Sequence, residues 1–351
     1  MTHPKHAQIP FSGILSPLNR SKISDGSKIS FIIPALNEER NIGNTLRAIR
    51  RFMDGHYRYE MIVIDHGSRD RTAEIAHAAG ATVHRQQGGT IGSLRNYGAR
   101  QADGKILIFL DADVELTKEW SQRFPETLRV LCENALLVTG SHCNAPPNGT
   151  WIERHWFRHF ASERNVSHIG TGHMVVSRST FLAVGGFDEH LETGEDYDFC
   201  RRVAQSGGTI INDPDLEVIH HEFPKNLVQF VQREAWHGRG DLRSWKDFRR
   251  SKVAVGAALF GLLHMVAVLG AVFARESLYH SLVAMAGLLG LLFASSLFKY
   301  WHSPWNVILI NSVIFYFYYL GRSLAFVTAL RGRLGHVRAS RRIPPTRNQH
   351  E

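Results

Sequence analysis

The run Ile106-Leu107-Ile108-Phe109-Leu110-Asp111-Ala112-Asp113 is apolar until it ends in two carboxylates one residue apart. A continuous run of this kind predicts a strand buried on both faces, as in a parallel α/β sheet. Open α/β sheets bind ligands outside the carboxyl ends of their strands, which is where Asp111 and Asp113 stand. Two hard oxygen donors there suit Mg²⁺ or Mn²⁺, an ion commonly shared with substrate phosphates. Taken alone, the motif has a plain alternative, a strand-end turn with solvated acids. Further acids follow the same logic: Asp65 closes an earlier apolar run, and Gly194-Glu195-Asp196-Tyr197-Asp198 forms a later cluster.

These residues need a scaffold, and the pattern before them supplies one. Ile29-Ser30-Phe31-Ile32-Ile33-Pro34 reads as a first strand. Asn37-Glu38-Glu39-Arg40-Asn41 is expected to open an amphipathic helix carrying Ile42, Leu46 and Ile49. A second strand spans Glu60 to Ile64, a second helix about 72–79, and a short third strand Ala81-Thr82-Val83. A glycine-rich loop, Gly88-Gly89-Thr90-Ile91-Gly92, leads to a helix with Arg95 and Asn96 and then to the Asp-Ala-Asp strand. Alternation of strand and helix predicts a doubly wound α/β half with right-handed crossovers.

Pro34-Ala35-Leu36-Asn37-Glu38 occupies the turn where a dinucleotide-binding fold needs Gly-x-Gly-x-x-Gly, and no Gly-Lys-Ser/Thr phosphate loop is present. What remains resembles the inverting family 2 glycosyltransferases of the GT-A fold. The matching motifs are Ile33-Pro34-Ala35-Leu36-Asn37-Glu38-Glu39, Ile64-Asp65-His66-Gly67-Ser68-Arg69-Asp70-Arg71-Thr72, Arg95-Asn96-Tyr97-Gly98, Asp111-Ala112-Asp113, Gly185-Gly186-Phe187-Asp188-Glu189 and Gly194-Glu195-Asp196-Tyr197-Asp198-Phe199. They occur in the family's order over roughly residues 28 to 240. His66 departs from the family, which often carries a second Asp or a small polar residue there; this bears on donor preference more than on reaction class.

The resemblance implies a GT-A type, Rossmann-like domain that binds a nucleotide sugar, most commonly a UDP-sugar. It implies Asp113 as a direct ligand of Mn²⁺ or Mg²⁺, with Asp111 on the metal, its water or the donor ribose. It places Pro34, Asn37, Glu38, Asp65, Ser68 and Arg95 on the donor side, Arg95 reaching the base or the phosphates. Asp196 matches the catalytic base. An acceptor hydroxyl is a poor nucleophile, so a carboxylate must remove its proton during attack. Glu195 and Asp198 flank that base, and one of them is expected to be a helix N-terminal acid. His173 either touches the acceptor or is a hydrogen-bonded structural residue. Of His220 and His221, adjacent on a strand and so pointing apart, at most one serves as a late metal ligand. Arg233, Trp236 and His237 either contact the pyrophosphate or acceptor, or belong to a basic helix at a membrane surface.

After Arg249-Arg250-Ser251-Lys252 the composition changes. Residues 253–274 and 278–298 are apolar runs, each long enough to span about 30 Å of hydrocarbon, and read as a transmembrane hairpin joined by Arg275-Glu276. A third run, Trp305 to Leu330, is aromatic-rich and contains Arg322, expected to snorkel at an interface. Basic residues before the first span (Arg233, Arg239, Arg243, Lys246, Arg249, Arg250, Lys252) and in the tail (Arg331, Arg333, Arg338, Arg341, Arg342, Arg347) put both flanks in the cytoplasm. The expected topology is two spans plus a third helix that is interfacial or re-entrant, with the catalytic domain facing the cytoplasm. The domain plan is then a lead at 1–27, a GT-A domain at 28–245, membrane or interfacial helices at 253–330 and a basic tail at 331–351.

A net charge of +9 follows from those flanks and points to anionic lipid rather than nucleic acid. Three cysteines, Cys132, Cys143 and Cys200, show neither metal spacing nor a disulfide framework. The N-terminus lacks a long apolar stretch, so no signal peptide is expected. A membrane tether makes a lipid-linked or glycan acceptor the expected partner. Two other classes compete: a nucleotidyltransferase, which would not need the late Glu-Asp pair, and a non-catalytic membrane scaffold, which should have lost a metal or base carboxylate.

Overall fold

The computed structural model describes residues 28–134, 136–157, 166–242, 244–273, 278–301 and 303–340. The lead at 1–27, Arg243, the Arg275-Glu276 loop and Arg341, Arg342 and Arg347 lie outside them.

Strands β1 (Ile29–Ala35), β2 (Tyr59–Asp65), β3 (Thr82–Arg85) and β4 (Ile106–Leu110) are parallel, and lie in the order β3-β2-β1-β4. Helices α1 (Ile42–Met53), α2 (Thr72–Ala78) and α3 (Ile91–Gln101) make the crossovers. Each residue of β1 and β4 is buried, as expected for strands covered on both faces. One boundary differs from the periodicity. Asn37 through Arg40 form a turn before α1, which Asn41 caps; Asn37 takes a left-handed conformation (φ 57°), and its side-chain oxygen accepts from the Arg69 amide at 2.9 Å. A polar turn tied to the loop after β2 outweighs the local helical signal.

Beyond β4 the chain passes through β5 (Val114–Leu116), α4 (Lys118–Glu133), β6 (Leu137–Gly140), a π-helical turn (Glu153–Phe157), β7 (His173–Ser177), α5 (Arg178–Ala183), α6 (Glu195–Gln205), β8 (Thr209–Asn212) and β9 (Val218–His220). The seven-stranded sheet runs β3-β2-β1-β4-β7-β6-β8, with β7 antiparallel to both β4 and β6. A doubly wound half therefore continues into a mixed one, and β7 lies directly beside the Asp-Ala-Asp strand. β5 and β9 form a separate antiparallel pair, Val114 opposite His220.

Helices α7 (Leu227–Asp241) and α8 (Trp245–Arg250) lead to α9 (Lys252–Phe273), α10 (Leu278–Lys299) and α11 (Trp305–Ser340). Three segments of the last helices, Lys252–Val272, Tyr279–Lys299 and Trp305–Phe326, are long and apolar enough to cross a membrane. α9 and α10 form a hairpin, with Ser281 Oγ donating to the Ala267 carbonyl at 3.1 Å. α11 meets α9 between Ala257 and His264, and meets α10 at Ser295 and Ser296. It also packs along α7. Arg322 does not snorkel: its side chain is largely buried and pairs with Glu234 (3.0 Å) and Asp241 (3.2 Å) of α7. A guanidinium that finds two carboxylates on a packed helix has no need of the lipid interface.

Candidate active site

The Asp-Ala-Asp turn is held from two directions. Thr45 on α1 donates to the Ala112 carbonyl at 2.8 Å, and the Asp111 amide reaches the Gly172 carbonyl before β7. Asp113 is buried; its Oδ2 accepts from the Glu222 amide at 3.2 Å and stands 3.3 Å from His220 Nδ1. Donor atoms of Asp111, Asp113 and His220 all lie within 4.8 Å of one another. His221 points away, to Glu115 at 3.0 Å. The pairing of β5 with β9 thus presents one histidine of the two to the aspartates.

Charge in this cluster is out of balance. Burial, then Asp111 and Glu222, push the Asp113 carboxyl up to about 7. Burial together with Asp113, Glu222 and Asp111 pushes Glu38 up to about 7 as well, against a lowering hydrogen bond from Asn41. The His220 Nδ1 atom is buried without a well-formed hydrogen bond. Crowded carboxylates with a neutral imidazole form a donor set that fits a hard divalent cation.

Asn37, Glu38, Asp65 and Ser68 form one braced rim beside this cluster. Ser68 Oγ accepts from the Asn37 amide at 2.9 Å, Asp65 Oδ1 from the Ser68 amide at 3.0 Å, and Thr72 Oγ1 from the Glu38 amide at 2.7 Å. Asn41 donates to both Glu38 and Glu222, tying the rim to the β9 loop. Pro34 is buried within β1.

Arg95 differs most from expectation. Its guanidinium is buried, with Nη2 2.7 Å from Asp111 and Nη1 2.8 Å from Glu195. Thr171 Oγ1 also donates to Glu195, at 3.2 Å. The guanidinium expected on the donor side lies between two carboxylates, because α3 carries it to the carboxyl end of β4, the middle strand of the sheet. Burial nonetheless holds the Glu195 carboxyl above its ordinary range. Asp196, the next residue in the first turn of α6, is half-buried. A Cβ on Gly170 would lie 3.7 Å from Asp196 Oδ2, and one on Gly172 3.2 Å from Asp111 Oδ2. The Gly170-Thr171-Gly172 turn therefore lies between the two acids, and a side chain at Gly172 would press on Asp111, whereas one at Gly170 would only touch Asp196. Asp198 is engaged by Arg201 and Arg202, which draw its carboxyl down despite burial.

His173 is fully buried. Trp120 Nε1 donates to its Nε2 at 2.9 Å, and the Ser141 amide donates to its Nδ1 at 3.2 Å, with Ser141 Oγ 3.0 Å from the same atom. Burial lowers this imidazole to about 3, so it stays neutral. On α7, Arg233 lies over the Phe157 ring, 5.0 Å from its centre, and within electrostatic reach of Cys143, which also feels Asp111 and Asp113. His237 is half-buried on the same helix, whereas Trp236 is exposed and stands apart from the cluster. Glu222, just beyond β9, enters the cluster through its amide, which donates to Asp113, and through its carboxylate, which accepts from Asn41.

A model of glycosyl transferase family 2 matches residues 30–187, and one of glycosyl transferase family group 2 matches residues 141–330. The chain belongs to the family 2 glycosyltransferases. This glycosyltransferase is similar to AglE of Haloferax volcanii, 29% identical over 231 residues that cover 62% of the chain and 74% of AglE. It is 34% identical over 110 residues to an undecaprenyl-phosphate 4-deoxy-4-formamido-L-arabinose transferase of Proteus mirabilis, covering 29% of the chain and 33% of that protein. It spans 44% of the pre-mycofactocin glycosyltransferase of Mycobacterium tuberculosis, at 22% identity. Among solved structures, the mannosyltransferase PcManGT of Pyrobaculum calidifontis, in complex with GDP-Man and Mn²⁺, superposes with a TM-score of 0.59 at 17% identity over 89% of each chain. GalNAc-T7 with UDP, GalNAc and Mn²⁺ gives 0.51 at 16% identity, over 68% of this chain and 51% of that one. These likenesses establish the GT-A fold for this glycosyltransferase.

Proposed function

We propose that this membrane-anchored glycosyltransferase moves a sugar, with inversion, from a nucleotide sugar to a lipid-linked or glycan acceptor at the cytoplasmic face of the membrane. The reading rests above all on Arg95, whose one guanidinium joins the Asp-Ala-Asp turn to the segment bearing Asp196. It holds a cation-binding pair and a candidate base on opposite sides of the Gly170–Gly172 turn. A nucleotidyltransferase has no use for a base so placed.

Asp111, Asp113 and His220 would hold Mn²⁺ or Mg²⁺, whose chemistry is to neutralise the charge of a diphosphate leaving group. Asn37, Glu38, Asp65 and Ser68 form the rim that receives the nucleoside. Asp196 takes the proton of the acceptor hydroxyl as its oxygen bonds to the anomeric carbon and the bond to the diphosphate breaks. One in-line displacement inverts that carbon. Our reading of the donor is a UDP-sugar; GalNAc-T7 holds UDP, whereas PcManGT holds GDP-Man, so GDP is the competing outcome. The undecaprenyl-phosphate named for the Proteus relative supports a lipid-linked acceptor.

The membrane reading is two spans plus α11 at the interface. Lys299, at the end of α10, meets Trp156 of the catalytic domain, and Arg322 of α11 meets Glu234 and Asp241 of the same domain. The end of α10 and the middle of α11 both meet that domain, which supports α11 lying along its side of the membrane rather than crossing.

Purified protein incubated with UDP-, GDP- and dTDP-sugars, Mn²⁺ and a membrane lipid extract tests the proposal. One donor should release its nucleoside diphosphate and yield a glycosylated lipid of inverted anomeric configuration. Undiminished transfer in excess chelator, or a retained configuration, would sink it.

A further inference from the structure

We infer that Gly240, near the end of α7, is a positioning residue for Asp196 and couples the aim of that base to the seating of α11; this rests on the role proposed above for Asp196. The Asp196 carboxylate accepts from the Tyr197 amide beside it at 2.7 Å, and among the described residues no hydrogen bond from outside α6 reaches it. Its direction is therefore inherited from the backbone that enters α6. Glu195 is fixed on one side by Arg95 and Thr171. Before it, Gly194 takes a left-handed conformation (φ 78°), a joint with no side chain to stiffen it, and the next anchor back is Thr193.

Thr193 is buried, and Gly240 comes directly against it. A Cβ on Gly240 would lie 2.6 Å from Thr193 Oγ1 and 3.4 Å from its carbonyl oxygen. A branched side chain in a buried turn has few rotamers into which to retreat. Gly240 lies within α7 and is not among the residues with positive φ, so what it contributes is the missing side chain, which lets the helix rest on this turn.

The helix is in turn seated by α11. Arg322 bridges Glu234 at 3.1 Å and Asp241 at 3.2 Å, on separate turns of α7. A Cβ on Gly238 would lie 2.7 Å from that of Ala325, and one on Gly321 would lie 2.7 Å from the Val231 carbonyl oxygen. Helices in such close contact have no slack between them, and packed interiors transmit displacement rather than absorb it. A shift of α11 thus passes through α7 to Thr193, and from Thr193 to Asp196.

The test uses the full chain in nanodiscs made with membrane lipid extract, supplied with UDP-, GDP- and dTDP-sugars and Mn²⁺, turnover being read as nucleoside diphosphate released. Gly240→Ala should lower kcat about 10- to 100-fold, the scale of a small misplacement of a reacting group, and leave donor KM unchanged. Alanine is the better helix former, so a weakened α7 would not account for the loss. Adding Thr193→Ala, which removes Oγ1, should restore most of the rate; adding Thr193→Val, which keeps the bulk, should not. If Gly240→Ala does not fold, Thr193→Ala alone opens the same contact from the other side and should lower kcat with donor KM kept. Independently of turnover, hydrogen exchange at the amides of residues 193–197 should rise in Gly240→Ala and return in the double variant with Thr193→Ala. Unchanged kcat and exchange, a rise in donor KM matching the loss in kcat, or equal rescue by Thr193→Val would overturn the inference. Asp196→Asn, measured alongside, keeps the two proposals apart. Normal turnover there overturns the base, whereas slow turnover there with normal turnover in Gly240→Ala overturns only the positioning.

Discussion

Asp111 and Glu195, far apart in the chain, share one buried guanidinium: Arg95 stands 2.7 Å from the first and 2.8 Å from the second. The strand that ends in the Asp-Ala-Asp turn and the helix that begins beside Asp196 are thereby set at a fixed separation. Arg95 is a positioning residue, and its effects should be felt at both acids.

Arg95→Gln leaves buried Glu195 and half-buried Asp111 uncompensated and should cost about 3–5 kcal/mol of stability. Adding Glu195→Gln removes one of those charges and should recover part of the loss. Chemical denaturation of the single and double variants measures this; strictly additive losses would contradict a shared guanidinium.

Asp196→Asn should bind a nucleotide sugar with near-normal affinity and transfer it about 10²- to 10⁴-fold more slowly, because an amide cannot take a proton. Donor titration alongside single-turnover transfer separates the two. Near-normal turnover would move the base to Glu195, since Asp198 is engaged by Arg201 and Arg202.

Cation binding should be pH-dependent. Glu38 and Asp113 rise from ordinary values of 4.5 and 3.8 to about 7, so near pH 6 both are largely protonated in the folded, cation-free protein. Mn²⁺ must displace those protons, and its affinity should climb as pH rises through 7. The same shifts predict that the cation-free protein loses stability between about pH 4 and 7, because the unfolded chain gives up these protons first. Asp113→Asn should flatten both trends. Titration calorimetry in two buffers of different ionisation enthalpy detects the proton release, and its absence at pH 6.5 would refute the assignment.

His173→Leu should act on stability. Trp120 Nε1 and the Ser141 amide lose a buried partner, at about 1–3 kcal/mol for each stranded group, while the Ser141 hydroxyl keeps the Leu216 carbonyl. Acceptor KM should not move in the folded fraction. A selective rise in acceptor KM would return His173 to the acceptor side.

The tail beyond α11 should share the catalytic domain's side. A cysteine at Ser340 would be protected from an impermeant thiol reagent in intact cells and react once the membrane is opened. Reaction in intact cells would establish a third crossing and break the proposed topology.

Much of this protein is legible along the chain. Apolar runs ending in acids locate β2 and β4, helical spacing places α1 to α3, and long uncharged stretches announce α9 and α10, because burial and span length leave periodic traces in neighbouring residues. Motif order led to Asp111, Asp113, Asp196 and the braced rim of Asn37, Glu38, Asp65 and Ser68. Partners across the fold are another matter. That β7 inserts antiparallel beside β4, that His220 rather than His221 meets Asp113, and that Arg95 and Arg322 are consumed by carboxylates depend on which segments pack together. A buried charge is satisfied by whatever the tertiary fold brings within about 4 Å, and no local spacing encodes that partner. Lys299 shows the same limit: in sequence it is the polar end of a membrane helix, and only the docking of the hairpin against Trp156 turns it toward the catalytic domain.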